Sequence, residues 1–246
     1  MAQSYAVLRE GAGHGETDAW PASEFTGRRG YDRVLAFSRT GTTSEVVAAL
    51  RRVAPGVPTT AIVADRETPA VKAAQHSIVL GFADERAVVQ TRFPTTLLLM
   101  LRAHLGEDVG ELPRQAAAAL EAKLPQTAMT ARQLTFLGSG WTIGLAHEAA
   151  LKVREAAQAW AESYPAMEYR HGPVSVADER TLVWVFGSPP AGLAEDVLAT
   201  GAAFEQSTVD PLVDLIRAQR LAVELAQASG LDPDAPRNLA RSIILP

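Results

Sequence analysis

The chain contains no cysteine. That excludes disulfides, thiolate nucleophiles and cysteine-ligated zinc together, and it fits a reducing compartment, so a cytoplasmic protein is expected. Basic residues are not in excess: 23 Lys and Arg stand against 28 Asp and Glu, a formal net charge of −5. No long basic run offsets this balance, which argues against a nucleic-acid partner. Long apolar runs are missing too. The longest, TTLLLML at Thr95–Leu101, falls far short of a membrane span. The opening MAQSYAVLREGAGHGETD matches neither a signal peptide nor a transit sequence. No spacing of His, Asp and Glu suits a metal site, so neither metal nor cofactor is expected. What remains is 246 residues, 47% hydrophobic and 21% charged, enough for one large soluble domain or two small ones.

Short apolar strands alternate with helical patterns along the chain, the signature of a parallel, helix-covered sheet. Strands are expected at Glu16–Trp20, Val34–Phe37, Thr59–Asp65, Ser77–Leu80, Leu134–Leu137, Thr181–Phe186 and Ala203–Gln206. Helices are expected at Ser4–Arg9, from Glu45, at Pro69–Ala74, within Ala87–Leu105, and at Glu111–Leu124, Ala194–Thr200 and Pro211–Ala228. The fold class is therefore α/β. Leu124-Pro125-Gln126-Thr127 marks a boundary between two halves similar in kind, a duplicated α/β unit in architecture.

Two stretches carry candidate chemistry. Between the strand Val34–Phe37 and the next helix, Ser38–Ser44 holds five hydroxyl residues in seven around Gly41. Hydroxyls and free N–H groups at a helix start suit a phosphate, although a plain N-cap uses the same residues. The second stretch, Leu137–Pro173, joins a buried strand ending, a Gly-Ser-Gly turn, a long helical run and a His-Gly-Pro turn. Lys152 and Glu155 lie three apart on one helical face. By spacing alone they read as a solvated ion pair, and His171 reads equally well as a turn residue.

Four blocks, in order, resemble the double SIS (sugar isomerase) proteins: Ser38–Ser44; Val88-Val89-Gln90-Thr91-Arg92; Leu137–Pro173; and the tail Asp234–Ser242 (DAPRNLARS). The family includes the isomerase half of glucosamine–fructose-6-phosphate aminotransferases, amino-sugar-phosphate deaminase/isomerases and fructosamine-6-phosphate deglycases. The resemblance implies two SIS units, each a flavodoxin-like sandwich of a parallel sheet between helices. The first would span residues 1–124 and the second 125–230, with a tail, 231–246, closing over the active site. It implies that Ser38, Thr40, Gly41, Thr43 and Ser44 hold a sugar phosphate, with Arg39 adding a charge-assisted contact. Val88, Gln90, Ala240 and Arg241 would complete the substrate pocket. Glu155 would be the base moving a proton between C1 and C2, beside Lys152. His171 would assist ring opening from the partner subunit of a homodimer.

Two departures from the family pattern stand out. Arg241 replaces a tail lysine able to form a Schiff base, and arginine stays protonated. The opening strand of the first unit and its loop are not found, so a natural form longer by tens of residues is expected. The expected function is aldose–ketose isomerisation of a phosphosugar, or amino-sugar-phosphate deamination with isomerisation, without glutaminase activity. A non-catalytic sugar-phosphate sensor and an inactive truncated SIS protein remain as rival readings.

Overall fold

The structure, a computed structural model, describes residues 1–245. In chain order the first half contains α1 (Ala2–Gly11), β1 (Val34–Phe37), α2 (Ser44–Arg52), β2 (Thr59–Val63), α3 (Pro69–Ala73), β3 (His76–Val79), α4 (Arg92–His104) and α5 (Leu112–Glu121). Then follow α6 (Gln126–Thr130), β4 (Gln133–Gly138), α7 (Ile143–Lys152), β5 (Ala161–Pro165), β6 (Thr181–Phe186), α8 (Leu193–Ala199), β7 (Ala203–Gln206) and α9 (Pro211–Ala228). Two sheets result, ordered β1-β2-β3 and β5-β4-β6-β7, and every pairing in them is parallel.

Strands covered on both faces read as continuous apolar runs. All five residues of β2 and all six of β6 are buried. In the second sheet Phe136, Trp184 and Phe186 point to one face and pack ring against ring, while Leu137, Val183 and Val185 point to the other, against Leu193 and Val197 of α8. The largest core cluster runs from Ile62 in the first sheet through Phe93, Leu97 and Leu98 of α4 to Phe136 and Leu145 in the second half. The two sheets are thus joined through one apolar interior, to which each fully buried Leu or Phe contributes roughly 1.5–3 kcal/mol.

Helix starts follow identifiable donors and acceptors. Asp210 caps α9 by accepting from the Leu212 N–H at 2.9 Å, with Pro211 at the first helical position. α4 begins at Arg92 because the Glu85 carboxylate, reaching from outside the helix, accepts the Thr91, Arg92 and Phe93 N–H groups. The helix expected within Ala87–Leu105, following Val88–Arg92, accordingly begins at Arg92.

Two expectations need correcting. Glu16–Trp20 forms no strand; Thr17 is instead tied to α1, its N–H donating to Glu10 at 2.7 Å and its hydroxyl receiving Arg9 at 2.8 Å. Beyond α7 the backbone makes a wider π turn over Val153–Ala157 and stops at Gln158, which is left-handed with φ +52°. It re-emerges as β5, a strand the sequence reading did not contain. No described helix is long and apolar enough to cross a membrane.

Candidate active site

The loop from β1 into α2 folds on its own hydroxyls. Gly41 N–H donates to Ser38 Oγ at 3.1 Å, and Thr42 N–H donates to Thr40 Oγ1 at 3.3 Å. Gly41 takes φ +62°, and a Cβ there would run into Thr68, so the turn requires glycine. The result is a cluster of Thr40, Thr42 and Thr43 hydroxyls at the first turn of α2. The Ser242 hydroxyl joins it from the tail, 2.9 Å from Thr42 Oγ1, 3.3 Å from Thr40 Oγ1 and 3.4 Å from Thr43 Oγ1.

Arg39 does not extend into this cluster. It is 2% exposed, and its guanidinium donates to the carbonyls of Ala87 at 2.7 Å and Val88 at 3.3 Å. Arg241 grips the same segment from the tail: it pairs with Asp84 at 2.7 Å and donates to the carbonyls of Glu85 and Arg86. Burial, then the Arg241 charge, lowers the Arg39 pKa, while Glu85, Asp84 and Glu155 act in the opposite sense. Arg39, Arg241 and Glu155 therefore share one electrostatic neighbourhood. The segment 84–88, held by two arginines, forms one wall of it.

On the second half, the π turn after α7 carries Glu155. Its carboxylate receives Lys152 Nζ at 2.6 Å, and Glu148 lies 3.5 Å from the same ammonium. The Lys152 side chain is 4% exposed, against 24% for Glu155. A solvated surface pair is excluded by that burial. Burial by itself lowers the Lys152 pKa, but the carboxylates of Glu148 and Glu155 outweigh it and the net direction is upward. Lys152 is therefore an ammonium throughout the neutral range.

The pair joins two hollows. Lys152 lines an inner one of about 280 Å³ together with Ala87, Val89, Thr91 and Gln219. Glu155 lines an outer one of about 360 Å³ with Leu151, Arg237, Asn238 and Leu239. Gln219 is 6% exposed and its Nε2 has no protein partner. Val88 and Gln90, alternating with Val89 along the segment, are half-buried and outside the inner hollow's lining. Ala240 is exposed on the tail. His171 ends a short helical turn, Glu168–His171, after β5; it is exposed, and no hydrogen bond or ion pair among the described residues links it to Lys152, Glu155 or the hydroxyl loop.

Thr42, Ser242, Asp84, Glu85 and Gln219 were not singled out from the sequence. Thr42 sits inside the hydroxyl run and could have been included. Ser242 closes the tail block Asp234–Ser242, and Asp84, Glu85 and Gln219 reach the site only through the fold.

His147, on α7, contacts Ser163 Oγ of β5 through Nδ1 at 2.9 Å. The residue is exposed overall, but partial desolvation of its ring, aided by neighbouring positive charge including Arg154, pulls its pKa below the usual value. A histidine of this kind favours folding above its unfolded pKa near 6.5, and that stability is lost as pH falls through the folded value. The expected result is that His147→Gln loses less melting temperature than wild type between about pH 6.5 and 5. Parallel acid-side slopes would count against it.

No protein-family model matches the chain. The isomerizing glutamine–fructose-6-phosphate aminotransferase of Methanothermobacter thermautotrophicus is 29% identical over 275 residues, covering 92% of this chain and 46% of that protein. The crystal structure of glucosamine-6-phosphate deaminase from Thermotoga maritima matches with a TM-score of 0.84 at 24% identity, covering 99% of this chain and 86% of that one. Tagatose-6-phosphate ketose/aldose isomerase from Escherichia coli matches with a TM-score of 0.77 at 19% identity, covering 99% and 83%. The chain spans less than half the length of the curated relatives it matches. The α/β architecture of two parallel sheets is thus that of SIS proteins, and the chain is homologous to the isomerase (SIS) domain of the glutamine–fructose-6-phosphate aminotransferases.

Proposed function

We propose that this protein interconverts an aldose and a ketose sugar phosphate, or deaminates and isomerises an amino-sugar phosphate, by moving a proton between C1 and C2. The observation that carries the reading is the Lys152–Glu155 pair: a carboxylate open on one side, bonded at 2.6 Å to a buried ammonium. A carboxylate so held can accept the proton from C2 of an aldose and return it to C1. The adjacent ammonium stabilises the enediolate oxygen that develops between the two transfers. The Thr40–Ser44 hydroxyls and the start of α2 hold the phosphate. Arg39 and Arg241 act from behind, fixing segment 84–88 against the sugar, since the terminal nitrogens of both are engaged with its carbonyls and Asp84.

His171 is assigned to ring opening from a second copy in a homodimer of two-SIS-unit chains; its exposure in the single chain is compatible with that assignment. Arg241 excludes a tail Schiff base, so amine release, where it occurs, proceeds from the isomerised substrate. The test is a screen of hexose 6-phosphates, amino-hexose 6-phosphates and fructosamine 6-phosphates, reading isomer and ammonia separately. Turnover of at least one supports the reading. Binding without turnover across the set would replace it with a sugar-phosphate sensor.

A further inference from the structure

The hydroxyl loop is not open. The tail residues Ser242–Leu245 lie on it and engage the groups that an anion would use. Ser242 Oγ sits among the hydroxyls of Thr40, Thr42 and Thr43. The Ile243 carbonyl accepts the Ser44 N–H of the first turn of α2 at 3.1 Å. The Leu245 N–H in turn donates to Ser44 Oγ at 2.8 Å. Two tail oxygens, one hydroxyl and one carbonyl, thus occupy positions where two oxygens of a phosphate would be received.

We propose that Ser242–Leu245 is an internal strap that closes the phosphate cradle, and that a phosphate-bearing ligand binds by displacing it. The proposal rests on the cradle assignment made under the proposed function. Three features make the strap displaceable rather than structural. Its contacts to the loop are bonds between neutral groups, whereas a phosphate would make charge-assisted bonds to the same donors, roughly twice as strong. Its apolar side chains bury little: Ile243, Ile244 and Leu245 are 59%, 69% and 57% exposed. Its root is separately anchored, because Arg241 grips Asp84 and the carbonyls of Glu85 and Arg86. The strap can therefore lift while the tail up to Arg241 stays docked. A ligand that must displace it binds with an affinity reduced by the fraction of molecules in which the cradle is open.

The experiment is calorimetric titration of inorganic phosphate into the full chain, into Ser242→Ala, and into a variant ending after Arg241. Removing the strap is expected to tighten phosphate binding about tenfold, and Ser242→Ala about threefold, on the argument that the competing contacts are what lower the open fraction. In the full chain, amide hydrogen exchange at Leu245 is expected to accelerate when phosphate is added. Unchanged or weaker binding in both variants overturns the strap; it leaves the cradle standing and makes Ser242 a bystander or a phosphate ligand. Absence of phosphate binding in all three proteins overturns the strap and the cradle together. The point variant keeps the test valid should the shortened chain fold poorly.

Discussion

Glu155→Gln is expected to lower turnover of the productive sugar phosphate about 10³-fold, within the range that a positioned general base contributes. Glutamine keeps the shape and can still accept a bond from Lys152, but it cannot take a proton from carbon. Lys152 retains Glu148 at 3.5 Å, so the ammonium is not left without a counter-charge, and gross unfolding is not expected. The phosphate cradle lies on the other half of the chain and is untouched. The loss should therefore fall on kcat, with KM for the sugar phosphate and the affinity for inorganic phosphate changed by less than about threefold. Incorporation of solvent deuterium at C1 and C2 should vanish together with turnover. A variant that keeps more than a tenth of the wild-type kcat, or still exchanges these protons, would remove Glu155 from the role of base and leave Lys152–Glu155 as a structural pair.

How much of this was legible in the sequence depends on what each residue does in the fold. A strand buried on both faces announces itself as an apolar run, which is why Thr181–Phe186 was found with the bounds the structure has; the half-buried edge strand Val34–Phe37 was found because its four residues are all apolar. β5 was not found because it is an edge strand carrying Glu162, Ser163 and Pro165, and because the helix before it ends at Gln158 without a glycine to mark the stop. The hydroxyl run Ser38–Ser44 was legible as a possible anion loop from composition alone. The burial of Lys152 was not, since residues three apart on a helix read the same whether the face meets solvent or a second unit. Arginine is among the residues least expected inside, so the inward turn of Arg39 toward Ala87 and Val88 had no local signal. The contact of Ser242 with Thr42 joins residues 200 positions apart, and no local pattern in the chain encodes it.

Arg102→Ala is expected to destabilise the protein by about 3–5 kcal/mol, the usual result of breaking a buried ion pair on one side. Arg102, near the end of α4, has an 8% exposed side chain. It meets Asp210 with both terminal nitrogens at 2.8 Å and Glu107 at 2.8 Å, and its guanidinium stacks 5.1 Å from the centre of the Trp141 ring. Alanine would leave the Asp210 carboxylate half-buried beside an empty space and strip the cation from the face of Trp141. The damage also reaches beyond the local site. Asp210 is the N-cap of α9, Trp141 lies in the turn that opens α7, and Arg102 belongs to the helix that covers the first sheet. One side chain thus ties three elements, and one of them, α7, carries Lys152 and leads into the turn that carries Glu155. Arg102→Met with Asp210→Asn, which removes both charges and keeps the aliphatic stem and a capping side chain, should recover about half of the loss. Urea unfolding of the two variants against wild type measures both effects. A loss below about 1 kcal/mol in Arg102→Ala would show that the apolar core shared by the two sheets holds the halves in register without this tie.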